Sequence, residues 1–205
     1  MEITSNWTGL TPYSSGLELQ KSAFENVKNK SDKVHLLGME HPEVLTLGLR
    51  SHNDPLIPIY EKQFKEVIKI RRGGHLVIHN PGQLVIYPVL SLKTNRLSIR
   101  DYICLLTKIT QKVLKKIEVE TFEKKEPGLF TQKGKIAMFG VGVNQGVTQH
   151  GICINMRNDL SAFTKIALCD VRGEAMDSLK TCQKDMELVP LFKLWCEQFK
   201  DMLNK

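Results

Sequence analysis

"KIAMFGVGVNQGVTQHGICINM", residues 135–156, decides the fold class. Two runs rich in apolar and β-branched residues flank Asn144-Gln145-Gly146, a polar tripeptide ending in glycine. Such a sequence suits a tight connection between antiparallel strands. A second turn, Gln132-Lys133-Gly134, stands just before it and follows "GLFTQ". Strands joined in this way pair as neighbours, so the expectation is an α+β protein with a largely antiparallel sheet rather than a doubly wound parallel one.

Working outward, "TPYSSGLELQKSAFENVKNK" (11–30) predicts a helix with Thr11 as its cap, Pro12 at its first position and Leu17, Phe24 and Val27 on its buried stripe. "KVHLLGMEHPEVLTLGLR" (33–50) reads as two strands around a turn at His41-Pro42-Glu43, and "HNDPLIP" (52–58) as a polar loop. Strands follow on either side of Gly73-Gly74 and again after "NPGQ". The clearest helix is "SIRDYICLLTKITQKVLKKI" (98–117), with Ser98 as cap, Asp101 in the first turn and lysines in the last. Ile99, Tyr102, Leu106, Ile109 and Val113 have helical spacing, and Cys104 reads as packing. "VETF" is a further strand candidate, "DLSAF" a single helical turn, and "LVPLFKLWCEQFKDML" (188–203) a closing amphipathic helix that buries Cys196.

The 205 residues suffice for one domain with a real core, and the whole of 1–205 reads as a single unit. No apolar run reaches the roughly 18 residues of a membrane span, and the first ten residues lack the layout of a signal peptide, so a cytoplasmic protein is expected. Five cysteines without a C-x-x-C pair argue against a disulfide framework or a zinc site. The net charge of +7 favours acidic partners. The basic residues are dispersed and not interleaved with aromatics, which argues against nucleic acid and is equally met by a solvated surface.

Chemistry concentrates at glycine-marked corners. Arg72-Gly73-Gly74 gives the backbone freedom to approach a ligand with exposed N–H groups, though a β-bulge explains paired glycines as well. No Gly-Lys-Ser/Thr follows, so it is not a P-loop. His79 stands before Asn80-Pro81-Gly82-Gln83, and His150-Gly151 repeats the theme. Two such corners suggest a shared pocket. Zinc binding by these and His75 would need His75 and His79 on one strand face, and no metal is expected. Cys169 falls in an irregular stretch before a helix start, where a thiol can be poised as thiolate. Lys135 enters an apolar strand, where desolvation can lower an ammonium pKa and fit it for proton transfer.

Taken together, "RGGHLVIHNPGQLVIYPVLSL", "PGLFTQKGKIAMFGVGV", "VTQHGICINMRNDLSAFTKI" and "LCDVRGEAMDSL" resemble, in order and spacing, the octanoyl-(acyl-carrier-protein):protein N-octanoyltransferases of lipoate biosynthesis, over roughly residues 33 to 180. The resemblance implies a biotin/lipoate protein ligase-like fold, a mixed sheet flanked by helices. It implies transfer of an octanoyl group from octanoyl-acyl carrier protein to a lysine of lipoyl domains, those of 2-oxoacid dehydrogenases and the glycine cleavage H protein. It places the acyl-enzyme thioester on Cys169 and its partner amine at Lys135. It lines the acyl site with Arg72, Gly73, Gly74, His75, Leu76, Val77, Ile78 and His79, with Met138, Phe139 and Gly140, and with Gly151, Ile152 and Cys153, to which the second corner adds His150. No cofactor is implied.

The residue types suit that chemistry. Thioester exchange onto cysteine is near thermoneutral, and the lysine amine then forms a more stable amide, so no ATP is needed. Backbone N–H groups at a glycine corner can stabilise the developing oxyanion. Two departures accompany the resemblance: Val77-Ile78-His79-Asn80 replaces a Thr-aromatic-His-Gly pattern, and Leu168-Cys169-Asp170 replaces Pro-Cys-Gly. A carboxylate at Asp170 would oppose thiolate formation next to it. Other readings are an ATP-dependent lipoate or biotin-type ligase, a non-catalytic acyl-carrier-protein binding module, and a basic nucleic-acid-binding domain, for which no motif is present.

Overall fold

A computed structural model describes residues 2–125, 127–167 and 175–203. The order of elements is β1 (Glu2–Leu10), α1 (Tyr13–Asn29), β2 (Lys33–Glu40), β3 (Val44–Leu47), a 3-10 turn (Leu49–Ser51), α2 (Ile57–Gln63), β4 (Val67–Lys69), β5 (Leu76–His79), β6 (Gln83–Val89), α3 (Ile99–Lys116), β7 (Leu129–Phe130), β8 (Lys135–Asn144), β9 (Val147–Asn155), α4 (Ser161–Ala167) and α5 (Leu188–Leu203). The strands form a six-stranded sheet in the order β1-β2-β6-β9-β8-β7 and a three-stranded sheet in the order β4-β3-β5. All pairings are antiparallel except β1 with β2 and β3 with β4.

The β8–β9 hairpin turns at Gln145 and Gly146, both at positive φ. It is the connection that the Asn144-Gln145-Gly146 sequence predicts.

Side-chain alternation along the central strands divides the interior. Leu36, Leu84, Ile86, Ile152 and Ile154 face α3 and α5. Leu37, Val85, Tyr87, Val89 and Cys153 face α1, α2, α4 and the small sheet. All seven residues of β6 are buried, as expected of a strand covered on both sides. On the α3–α5 side, Trp195 is fully buried and its Nε1–H donates to Thr110 Oγ1 at 3.1 Å, so its polar edge is satisfied.

The structure departs from the sequence reading in five places. Thr11 does not cap α1: Pro12 is the N-cap, without a side-chain cap, and the Thr11 hydroxyl is drawn to the carbonyls of Thr8 and Gly9. The strands flanking His41-Pro42-Glu43 do not pair, because β2 enters the large sheet and β3 the small one. Residues 52–58 lead into α2 rather than forming only a loop. "VETF" contributes a single bridge, Phe122 to Phe130. Cys104 and Ile99 lie exposed on α3, on the solvent side of the buried stripe of Tyr102, Leu106, Ile109 and Val113. Strand β1 had no sequence signal. Its residues are half-buried or exposed, so no apolar alternation marks it. Among the described residues no helix is long and apolar enough to cross a membrane.

The N-terminus of α3 carries a capping box, with Asp101 N–H donating to Ser98 Oγ at 3.1 Å and Ser98 N–H to Asp101 Oδ2 at 3.1 Å. Replacing such a cap typically costs about 1 kcal/mol. Ser98→Ala is therefore expected to lower stability by about that amount in urea denaturation, with an unchanged m-value.

Candidate active site

A half-open pocket lies on the α1 face of the large sheet, lined by Tyr13, Arg72, Val77, His79, Val85, Tyr87, Met138, Gly140, His150, Gly151, Ile152 and Cys153. The strands β5, β6, β8 and β9 each contribute, and Tyr13 comes from the first turn of α1.

Its most unusual member is Arg72, only 4% exposed. One terminal nitrogen of its guanidinium donates to Thr46 O at 3.0 Å and Thr46 Oγ1 at 2.9 Å, and the other to Gly73 O at 3.0 Å. These are neutral oxygens, and among the described residues no carboxylate is in ion-pair range of it. Burial pulls its pKa below the ordinary value. The glycines make this placement possible. A Cβ on Gly140 would lie 2.8 Å from Arg72 Cδ, and one on Gly48 would lie 2.8 Å from Arg72 Nη1 and 2.4 Å from Gly74 O. Gly73 N–H donates to Val141 O at 2.9 Å, tying the Arg72 corner to β8.

The histidines around it are neutral. His41 Nδ1 lies 2.7 Å from Thr11 O, an acceptor, so Nδ1 carries the proton and Nε2 accepts from the Tyr87 hydroxyl at 2.9 Å. His79 Nδ1 donates to Gln83 Oε1 at 2.7 Å, and Gln83 Nε2 donates onward to Asn155 Oδ1 at 2.9 Å. Burial lowers the pKa of His41 and of His150 to about 4, the charge of Arg72 adding to the effect at His150. His79 is held well below its ordinary value, first by burial and then by His41. Burial pushes Tyr13 and Tyr87 up, so both are hydroxyl donors, and pushes the Cys153 thiol up to about 12, so it is no thiolate.

The cavity thus brings together Arg72, Val77, His79, Met138, Gly140, His150, Gly151, Ile152 and Cys153 from the sequence-predicted set. Gly73, Gly74, His75, Leu76, Ile78 and Phe139 lie outside its wall. Ile78 is buried in the core below the small sheet, and Phe139, one step along β8 from Met138, packs with the α3–α5 core. His75 Nδ1 is 3.4 Å from Ser51 Oγ. Tyr13, Tyr87 and Val85 were missed. Tyr13 read as part of a helix start, and the other two as strand residues with no polar punctuation. Among the described residues no group of three metal-ligating side chains is placed to hold an ion.

Lys135 opens β8 beside the cavity. Its ammonium sits 5.1 Å from the Phe130 ring centre and is close enough to favour ionisation of Cys153. Its backbone is clamped by the chain that resumes at Ala175: Lys135 N–H donates to Ala175 O at 2.8 Å, and Asp177 N–H to Lys135 O at 2.9 Å. The Asp177 side chain accepts from the Thr131 and Thr181 hydroxyls and from Ser178 N–H. Burial opposes its charge, but these bonds hold its carboxyl below the ordinary value. Cys169 and Asp170 lie outside the described residues.

The neutral histidines carry a pH signature. His41 and His150 sit near 4 when folded, against about 6.5 when unfolded. Between those values the unfolded chain binds more protons, so folding stability falls as pH drops through this window. Each histidine contributes at most about 1.4 kcal/mol per pH unit there. Urea denaturation between pH 7.5 and 4.5 is expected to show stability decreasing with acidity. A flat or rising profile would contradict the buried neutral imidazoles.

Comparison with known proteins agrees with this architecture. Residues 12–200 match the family described as the lipoyl protein ligase A/B catalytic domain. An octanoyltransferase of Syntrophotalea carbinolica is 35% identical over 173 residues, 84% of this chain and 80% of its own length. A mitochondrial octanoyl-(acyl-carrier-protein):protein N-octanoyltransferase of Danio rerio is 31% identical over 202 residues, 93% of this chain and 89% of its own. Among solved structures, the bi-partite lipoate protein ligase of Thermoplasma acidophilum superposes with a TM-score of 0.73 at 14% identity, covering 100% of this chain and 84% of that one. The biotin protein ligase of Aquifex aeolicus superposes at 0.58 and 12%, covering 100% and 71%. These two likenesses speak to the fold alone, which is that of lipoate and biotin protein ligases. The sequence relationships go further: the chain belongs to the lipoyl protein ligase A/B catalytic domain family, among its octanoyltransferases.

Proposed function

We propose that the chain moves an octanoyl group from octanoyl-acyl carrier protein to a lysine of a lipoyl domain, through a thioester on Cys169. The observation that carries this reading is the cavity itself. It joins apolar walls to a buried guanidinium that meets no carboxylate among the described residues, and Lys135 is near enough to act on the Cys153 thiol in its wall. The relatives named octanoyltransferases support the reaction class, and the lipoyl domain studied with the archaeal ligase supports the kind of acceptor.

In the first half-reaction the Cys169 sulfur attacks the donor's thioester carbonyl. The carrier's phosphopantetheine thiolate leaves, and a new thioester forms. In the second the acceptor lysine nitrogen attacks, the Cys169 thiolate leaves, and an amide forms. Lys135 takes the proton from Cys169 and passes it to the departing phosphopantetheine thiolate, then takes one from the attacking amine and passes it to the departing Cys169 thiolate. Negative charge develops on the carbonyl oxygen in both steps, where the field of Arg72 stabilises it. Val77, Val85 and Met138 give the acyl methylenes an apolar wall. Cys153, the thiol in that wall, is a poor nucleophile because burial holds it protonated.

Intact mass after mixing with octanoyl-acyl carrier protein, in the absence of ATP, tests the route. Wild type is expected to gain one hydroxylamine-labile octanoyl group and Cys169→Ala none. An adduct of equal yield on Cys169→Ala would remove the covalent intermediate, and a requirement for ATP would favour ligase chemistry. Lys135→Ala is expected to slow both half-reactions by about 100-fold or more, and an unchanged pH–rate profile would exclude it as the base.

A further inference from the structure

Strand alternation makes His150 an anomaly. On β9, Ile152 and Ile154 face the α3–α5 core, and Val141, the cross-strand partner of His150, packs there too. His150 belongs on that face by period two. Its ring lies on the other one. It lines the cavity, stands edge-on to Tyr87 with ring centres 6.3 Å apart, and places Cδ2 3.2 Å from where Gly142 would carry a Cβ. The cause is a φ of 56°, left-handed for a residue with a side chain. That conformation exchanges the directions of side chain and α-hydrogen, at a cost of about 1–2 kcal/mol.

Something must hold it, and the hydrogen bonds name what does. His150 N–H donates to Gln20 Oε1 at 2.7 Å, across 130 residues of sequence. Gln20 lies in the middle of α1 and is 2% exposed. Because an N–H can donate only to the amide oxygen, the orientation of Gln20 is fixed. Its Nε2 is left buried without a partner among the described residues. An orphaned buried donor costs about 1–3 kcal/mol, so an apolar residue would serve helix packing better at this position. The amide is retained beside a strained corner of the cavity wall, where such costs cluster when they serve function. His150 is itself 7% exposed, and its Nδ1 has no hydrogen-bond partner among the described residues. An imidazole packed into a cavity wall with a nitrogen unpaired among the described residues can take a polar group of a ligand, which octanoyl methylenes do not supply but a thioester carbonyl or the adjoining amide of the donor arm does.

We infer that Gln20 is a positioning residue: its amide oxygen holds the His150–Gly151 corner in the left-handed conformation that turns the His150 imidazole into the cavity, against the polar end of the acyl donor. The identity of that donor rests on the function proposed above. The geometric role of Gln20 does not. The groups that act on the imidazole are the Arg72 guanidinium and the Tyr87 ring from β6, with His79 in electrostatic reach, while Gln20 from α1 holds the backbone N–H.

The test is a pair of measurements on the full chain. In octanoyl transfer, Gln20→Leu should lose about ten-fold or more in kcat/KM, Gln20→Glu, which retains an acceptor oxygen at the same reach, should recover part of it, and the pH dependence of the remaining rate should change. In a His150→Gly background, where glycine adopts the positive φ freely and carries no ring, Gln20→Leu should have no further effect on kcat/KM. Imidazole NMR supplies a readout independent of turnover. The His150 resonance, assigned by its loss in His150→Gly, should titrate near 4 in wild type and move toward the ordinary histidine range in Gln20→Leu as the ring leaves its buried place. Thermal melts identify a variant that fails to fold, and Gln20→Met then replaces Gln20→Leu. Multiplicative losses from Gln20→Leu and His150→Gly, or a His150 titration unchanged by Gln20→Leu, overturn the inference. If wild type transfers no octanoyl group, the proposed function falls, and the titration still decides the role of Gln20.

Discussion

A guanidinium buried among neutral oxygens is the constraint on which the rest of this structure depends. Arg72 cannot shed its charge, and a buried cation is tolerated only where hydrogen bonds replace its water. Three such bonds are made, two of them to Thr46 on β3. They fasten the small sheet to the cavity, while Gly73 N–H fastens the same corner to β8 of the large sheet. The two sheets are therefore joined at the residue whose charge dominates the cavity. Gly48 and Gly140 follow from this, since side chains there would occupy the space of the arginine or of the backbone beside it.

The same charge orders its neighbours. Titratable groups packed near a buried cation in a poorly solvated wall favour their uncharged or anionic forms, and burial disfavours the anionic ones. His79, His150, Tyr13, Tyr87 and Cys153 are all neutral for one or both of these reasons. Among the described residues that line the pocket, Arg72 is thus the full charge in a wall of dipoles. A field of that kind, fixed before substrate arrives, needs no reorganisation when negative charge develops on a carbonyl oxygen. Neutral tautomers have a second consequence. With Nδ1–H of His41 and His79 committed to fixed acceptors, the opposite nitrogen of each ring is an acceptor. His41 uses that acceptor to hold Tyr87, leaving His79 and His150 as the histidines of the cavity wall.

Legibility in the sequence followed how local the physics was. The β8–β9 hairpin and α3 are written in turn residues, caps and periodicity, and they form where those signals stand. β1 is not, because an edge strand that buries little needs no apolar alternation. His41-Pro42-Glu43 signalled a turn correctly, but which sheet each flanking strand joins is decided by Arg72 and β6, far away in sequence. In the site, Arg72, His79 and His150 stood out because glycine or Pro-Gly marks their corners. Tyr13, Tyr87 and Gln20 did not, since each carries an ordinary residue type in an ordinary pattern and gains its role only by crossing to another element. Phe139 shows the converse error: a contiguous motif suggests a contiguous wall, whereas a strand gives alternate residues to opposite faces. His150 is where even that rule fails, because one left-handed dihedral overrides the alternation.

The polar core also explains how a cavity wall and a distant lysine come to be held in one geometry. From His79 the hydrogen bonds run to Gln83, from Gln83 to Asn155 Oδ1, and from Asn155 Nδ2 to Asp177 O at 3.1 Å. Asp177 N–H closes the path on the Lys135 carbonyl, and its carboxylate is in turn held by Thr131, just upstream of that same strand. Each side chain in it is buried, and each bond shown has a defined donor and acceptor, so rotating one amide would leave the next group without its partner. Shape alone cannot fix the separation of the cavity from the start of β8, because apolar side chains repack with small losses. A directional network can. That is the physical reason for spending buried asparagine, glutamine and aspartate between β6, β9 and the chain that resumes at Ala175, rather than filling the space with leucine.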